Sequence, residues 1–138
     1  MVRLAASRGY SVCFNFRENE VAANSVVCEI VAGGGKAVAI RADISSDTDV
    51  VSLFQTTECE LGPVTALVNN AARLETQMRL ESMDAERLRR TFATNAIGAM
   101  LFAREAVLRM STLRNGHGGR IVNVLVRGSA LRFPGRVR

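Results

Sequence analysis

Apolar positions along the chain alternate between two spacings. Ser11-Val12-Cys13-Phe14-Asn15-Phe16 is short and nearly continuous in apolar residues, the pattern of a buried strand. From Asn19 to Val31 the apolar positions Val21, Ala22, Val26, Val27, Ile30 and Val31 follow helical spacing, and Gly33-Gly34-Gly35 stops the run. Lys36 to Arg41 predicts a second strand, Ser46 and Asp49 a capping box that opens a helix to about Glu60, and Gly62-Pro63 its end. Val64 to Asn69 predicts a third strand. A looser segment, Ala71 to Ser82, follows. Asp84 then caps a long helix to about Leu113, and Asn115-Gly116-His117-Gly118-Gly119 is a turn. Arg120 to Val126 predicts a fourth strand, apolar enough to be covered on both faces. The chain opens inside a helix, Met1 to Ser7, closed by Arg8-Gly9.

Strands separated by helices imply parallel pairing through right-handed crossovers, hence an α/β, doubly wound sheet. With 138 residues there is room for one domain. A hydrophobic share of 48% is enough for a core and argues against wholesale disorder. No apolar run reaches membrane-spanning length, and the first residues lack the apolar stretch of a secretory signal. Cys13, Cys28 and Cys59 have no metal-type spacing and are odd in number, which points away from a zinc site or disulfide framework and toward a reducing cytoplasm. The net charge of +5 is uneven. Residues 1–108 carry 11 basic and 13 acidic groups, whereas residues 109–138 carry seven arginines and no acid. Basicity is therefore a property of the tail.

Four boxes give the chain a direction. Leu67-Val68-Asn69-Asn70-Ala71-Ala72, Phe92-Ala93-Thr94-Asn95-Ala96-Ile97-Gly98, Ala42-Asp43-Ile44-Ser45 and Arg120-Ile121-Val122-Asn123-Val124 resemble, in order and spacing, the short-chain dehydrogenase/reductase family. The likeness runs from about Leu4 to Val124. Its flavour is that of glucose 1-dehydrogenase-like and 3-oxoacyl-carrier-protein-reductase-like oxidoreductases.

The resemblance implies a Rossmann-type doubly wound sheet and hydride transfer between a nicotinamide and a carbonyl/alcohol pair. Asn69-Asn70-Ala71 resembles the box beside the adenosine and nicotinamide riboses, with Ala72 in place of the usual glycine. Asn95 resembles the active-site asparagine, which interrupts a helix so that its carbonyl can hold a relay water. Asn95 and Gly98 are poor helix formers in an otherwise strong helix, in agreement. Asp43 and Ile44 occupy the place that contacts adenine; the local alternative for Asp43 is a turn residue before Ser46. Arg17 follows the first strand, at the carboxyl end where ligands sit. An arginine there favours NADP through the 2′-phosphate; NAD is the alternative, given Glu18 next door. No metal is implied. Partners implied are a small carbonyl or alcohol substrate and further copies in a homotetramer or dimer, with no nucleic acid and no membrane.

Against the family pattern, the sheet is expected to be incomplete. The first strand with its glycine-rich phosphate loop is not matched, and in the family's order it would lie between KAVAIR and VTALVN. Two inner edges would lose their ladder partner, which invites aggregation. Leu125-Val126 stand where the catalytic serine belongs, and no Tyr-x-x-x-Lys follows. Residues 1–124 thus read as a partial NAD(P)-binding domain and residues 125–138 as an aberrant basic tail. GC-rich codons exist for that tail which, read one base later, spell Ser-Ser-Val-Ala-Pro-Arg-Phe-Gly-Ser-Pro-Gly-Glu-Tyr-Val, the way this family continues; a frameshift is the expectation. The chain is therefore read as an inactive fragment of an oxidoreductase. The alternatives are a pseudogene product or non-catalytic interaction module using the Asp84–Leu113 helix, and a nucleic-acid-binding tail through Arg127, Arg132, Arg136 and Arg138, which has no aromatic interleaving to support it.

Overall fold

The computed structural model of this chain describes residues 1–76 and 78–124. Helix α1 (Val2–Ser7) precedes strand β1 (Val12–Phe16). Helix α2 (Glu20–Ala32) connects β1 to β2 (Ala37–Arg41), and α3 (Asp47–Leu61) connects β2 to β3 (Ala66–Asn69). After a loop come α4 (Ala85–Phe92), a π-helical turn (Ala93–Gly98), α5 (Ala99–Met110) and β4 (Arg120–Asn123).

Local chemistry sets these boundaries. The Asn19 side chain accepts from the Ala22 amide at 2.9 Å and starts α2. Ser46 Oγ accepts from the Asp49 amide, while the Asp49 carboxylate accepts from the Ser46 hydroxyl and from the Asp43 amide, so the capping box also ties down the turn after β2. Gly62, at φ 86°, ends α3 in a conformation that L side chains rarely adopt. The helix expected from Asp84 to Leu113 is broken by the π turn and stops at Met110. Ser111 is extended at ψ 125°, and Leu113 is almost fully exposed.

β1 pairs with β2 and β3 with β4, both parallel, so the strands form two separate pairs. Helices α3 and α5 bridge the pairs. Val50, Leu53 and Phe54 of α3 and Phe102, Ala106 and Met110 of α5 meet Ala42, Ile44 and Leu67 in one core. Phe54 and Phe102 pack edge to face, ring centres 5.6 Å apart. Arg109 stacks 5.0 Å above Phe54 and pairs with buried Glu105 and with Glu58, fastening α5 to α3. Ala6, Ala23 and Ile30 of α1 and α2 are buried apart from this core, as expected with helices on both faces of a doubly wound sheet.

Between the two pairs lies an open slot, part of a cavity of about 660 Å³. Its walls are β1 and β3, with no residue of β2. This corrects the expectation that the gap adjoins KAVAIR: that strand is on the outside, its inner side already bonded to β1, and SVCFNF forms the inner edge. Ladder alternation identifies the groups left over. Val12 N–H donates to Lys36 and Phe16 C=O accepts from Ala42, so Val12, Phe14 and Phe16 point to β2 and Cys13 and Asn15 point into the slot. Thr65 C=O accepts from Arg120 and Asn69 C=O from Val124, which leaves Ala66 and Val68 facing the slot from the other side. The tail, including Leu125-Val126 and the arginines from Arg127 onward, lies outside the described residues.

Candidate functional site at the carboxyl ends of the strands

In a parallel sheet the carboxyl strand ends open toward ligands because the crossover connections leave a crevice there. Here the cavity reaches that end. Arg17 follows β1, Asp43 and Ile44 follow β2, and Asn69, Asn70 and Ala71 close β3; all six line the same cavity. The sequence-predicted cofactor residues are thus brought together, although they span more than fifty positions. Asn95 does not line the cavity. It sits behind it, in the π turn, and acts on a residue that does.

That residue is Arg73. The Asn95 amide accepts from the Arg73 N–H at 2.6 Å and donates to the Arg73 carbonyl at 3.0 Å. Arg73 in turn pairs with Glu75 at 2.9 Å. Glu75 is also approached by Arg87 and Arg90, and Arg87 reaches the Thr76 carbonyl. Burial acts to raise the Glu75 pKa, but the bonds from Arg73 and Arg90 and the surrounding positive charge hold it below the usual carboxylate range. The loop after β3 is therefore fixed by its own charges and by the π turn.

The turn is held equally tightly from below. Gly98 is buried, and a Cβ there would come within 2.8 Å of the Ile44 carbonyl oxygen and 3.0 Å of Ile44 Cγ1. Only a glycine lets this helix pass so close to the end of β2. Nearby, Asn69 Nδ2 donates to the Ala99 carbonyl at 3.2 Å and to Asn123 Oδ1 at 2.9 Å, linking β3, β4 and the start of α5.

Electrostatically the mouth is mixed, with a cationic excess. Arg17 lies 3.5 Å from Asp43 and 3.9 Å from Glu18, and is more than half exposed. Asp43 accepts from both the hydroxyl and the amide of Ser45. Those bonds hold its pKa below the ordinary carboxylate value against the opposing effect of burial, with the charges of Arg17 and Arg73 adding to them.

Sequence reasoning did not assign Arg73, Gly98 or Asn123 to the site. A polar residue inside the apolar run RIVNV was a signal for Asn123; nothing local marks Arg73, whose role depends on a residue 22 positions away.

Among the described residues no group of three or more metal-ligating side chains forms, and no helix is long and apolar enough to cross a membrane. Cys13, Cys28 and Cys59 are all free.

Comparison with known proteins agrees with this geometry. A family model for short chain dehydrogenase matches residues 1–137. An uncharacterized oxidoreductase of Escherichia coli, YgfF, is 44% identical over 132 residues, 96% of this chain and 53% of that protein. The 3-oxoacyl-[acyl-carrier-protein] reductase of Mus musculus is 35% identical over 139 residues, 99% of this chain and 53% of the other. A short-chain dehydrogenase/reductase from Serratia marcescens superposes with a TM-score of 0.80 at 28% identity, covering 88% of this chain and 47% of that one. A short chain dehydrogenase from Burkholderia cenocepacia, solved in complex with NADP, gives the same TM-score at 25% identity and the same coverage. The chain spans about half the length of the relatives it matches. With its paired parallel strands, its cavity at their carboxyl ends and a family match along nearly all its length, this chain belongs to the short-chain dehydrogenase family.

Proposed function

We propose that this chain forms the adenosine-facing part of an NAD(P)-dependent oxidoreductase acting on a carbonyl/alcohol pair. The observation that carries the reading is the convergence of Arg17, Asp43, Ile44, Asn69, Asn70 and Ala71 on one cavity. The donor set suits a nucleotide: a guanidinium for phosphate, a carboxylate and amides for hydroxyls and ring nitrogens, and an apolar surface from Ile44 and Ala71 for a base. A bound nicotinamide cofactor supplies the hydride chemistry.

The chain's own residues do the positioning. Arg17 offers charge to a 2′-phosphate, so NADP is the cofactor favoured, with NAD the alternative because Asp43 and Glu18 stand beside it. Asn95 fixes the loop after β3, and the π turn that carries it frees main-chain geometry that a regular helix would lock. Proton transfer is not among the tasks assigned. Tyr10, the sole tyrosine, precedes β1, whereas Arg17 follows it, so the whole length of the strand separates them. The chain is accordingly read as inactive by itself.

Partner and location readings follow the same fold. Phe92, Met100 and Val107 expose apolar surface on α4 and α5, as helices that pack between copies would. Free cysteines fit a reducing, cytoplasmic setting.

The test is a chimera. Residues 1–124 replace the matching stretch of the E. coli relative, and the chimera is assayed at the nicotinamide absorbance band with a panel of ketones, aldehydes, alcohols and sugars. Turnover with NADPH or NADP is expected. A soluble chimera that binds cofactor but turns over nothing on the panel would remove the oxidoreductase reading.

A further inference from the structure

We infer that Arg41 is a second specificity-determining cation, acting beside Arg17 to select a phosphorylated ribose. This rests on the nucleotide-binding reading above and extends it to a residue outside the motif boxes. Arg41 is the last residue of β2 and stands in register with Phe16, the last residue of β1. Its Nε donates to the Arg17 carbonyl at 3.3 Å, which carries its side chain across the strand ends to the residue that lines the cavity.

The two arginines differ in how their charge is used. Arg17 is shared between Asp43 and Glu18. Arg41 forms no ion pair with any carboxylate of the described residues, and its only side-chain polar contact among them is the bond to the Arg17 carbonyl. Its two terminal nitrogens therefore remain available. A phosphate dianion needs more compensation than one half-neutralised guanidinium supplies, and an exposed phosphate can accept from two forks at once. Arg41 meets that need without displacing Asp43 from Arg17.

The experiment uses the full chain and two small probes, adenosine 2′,5′-bisphosphate and adenosine 5′-monophosphate, titrated separately at low ionic strength and followed by NMR. The unmodified chain should bind the bisphosphate about tenfold more tightly. Arg41→Ala should cut that ratio about threefold while leaving the monophosphate unchanged, and Arg41→Lys should restore most of it. Arg41→Ala should keep its effect in an Arg17→Ala background; if the effect vanishes there, Arg41 only props the Arg17 main chain and the inference fails. A ratio unaltered by Arg41→Ala overturns the role of Arg41 alone. No preference in the unmodified chain, or no binding of either probe, counts against the NADP reading itself and takes this inference with it. Arg41 is exposed, so none of these variants should unfold the chain.

Discussion

The side chain of Asn95 closes on both main-chain groups of Arg73, accepting from its N–H at 2.6 Å and donating to its carbonyl at 3.0 Å. This pair joins the π turn to the loop after β3, and through that loop to the mouth of the cavity. Replacing Asn95 by Ala removes two hydrogen bonds at a largely exposed site, a loss of about 1 kcal/mol. Faster amide exchange at Arg73, with little change at Phe14 or Leu67, is the expected result. Unchanged exchange at Arg73 would show that Glu75 and its arginines hold the loop by themselves.

Gly98→Ala should cost more. The new methyl group would press on the Ile44 carbonyl, which belongs to the backbone and cannot swing aside. Overpacking of this kind costs about 1–3 kcal/mol. A lowered denaturant midpoint with an unchanged slope would fit; a neutral substitution would show that the π turn can move away from β2.

How far this arrangement could be read in advance depended on the range of the interaction. The caps at Asn19 and Ser46 and the stop at Gly62 were legible because each is settled within a few residues. Three of the four boxes, at Ala42–Ser45, Leu67–Ala72 and Phe92–Gly98, marked strand and helix ends that line the cavity, while the fourth, Arg120–Val124, marked the strand paired with β3. Periodicity carries no information about which strands are neighbours; the gap was placed beside KAVAIR from the family's strand order and is found beside SVCFNF. The break in the long helix was foreshadowed by Asn95 and Gly98. Its π form depends on the close approach of Ile44, and the clamp on Arg73 joins residues 22 positions apart. No local pattern encodes such contacts.

Acid should loosen the turn after β2. Asp43 is held below its ordinary range by Ser45 and by nearby arginines, and Asp49 by the Asp43 amide and the Ser46 hydroxyl. A depressed carboxylate contributes stability that is present above its unfolded pKa and lost as pH falls through its folded one. The loss should therefore set in below about pH 4. Urea midpoints measured between about pH 2 and pH 5 should fall with acid, and Asp43→Asn should flatten that slope. An equal slope in both proteins would contradict the assignment.

The slot makes a residue-by-residue prediction for hydrogen exchange. Phe14, Phe16, Leu67 and Asn69 have ladder partners and should exchange slowly. Cys13, Asn15, Ala66 and Val68 face the slot and should exchange fast, giving an alternating pattern along each inner strand. Self-association at high protein concentration should protect those four first, since open apolar edges are where chains pair. Uniform protection along β1 and β3 in dilute solution would mean that the slot is closed.

The central claim, that this chain carries the adenosine side of a dinucleotide site, is tested most directly by titrating NADPH into the isotope-labelled chain and mapping the amide shifts. On the proposed reading the described residues serve mainly that side, so binding should be weak, with a dissociation constant above about 0.1 mM. Shifts should concentrate at Arg17, Asp43, Ile44 and Asn69 to Ala71, with smaller ones at Thr94 and Gly98. Shifts confined to the exposed face of α4 and α5, or none at the strand ends as NADPH rises to several times that concentration, would contradict the account.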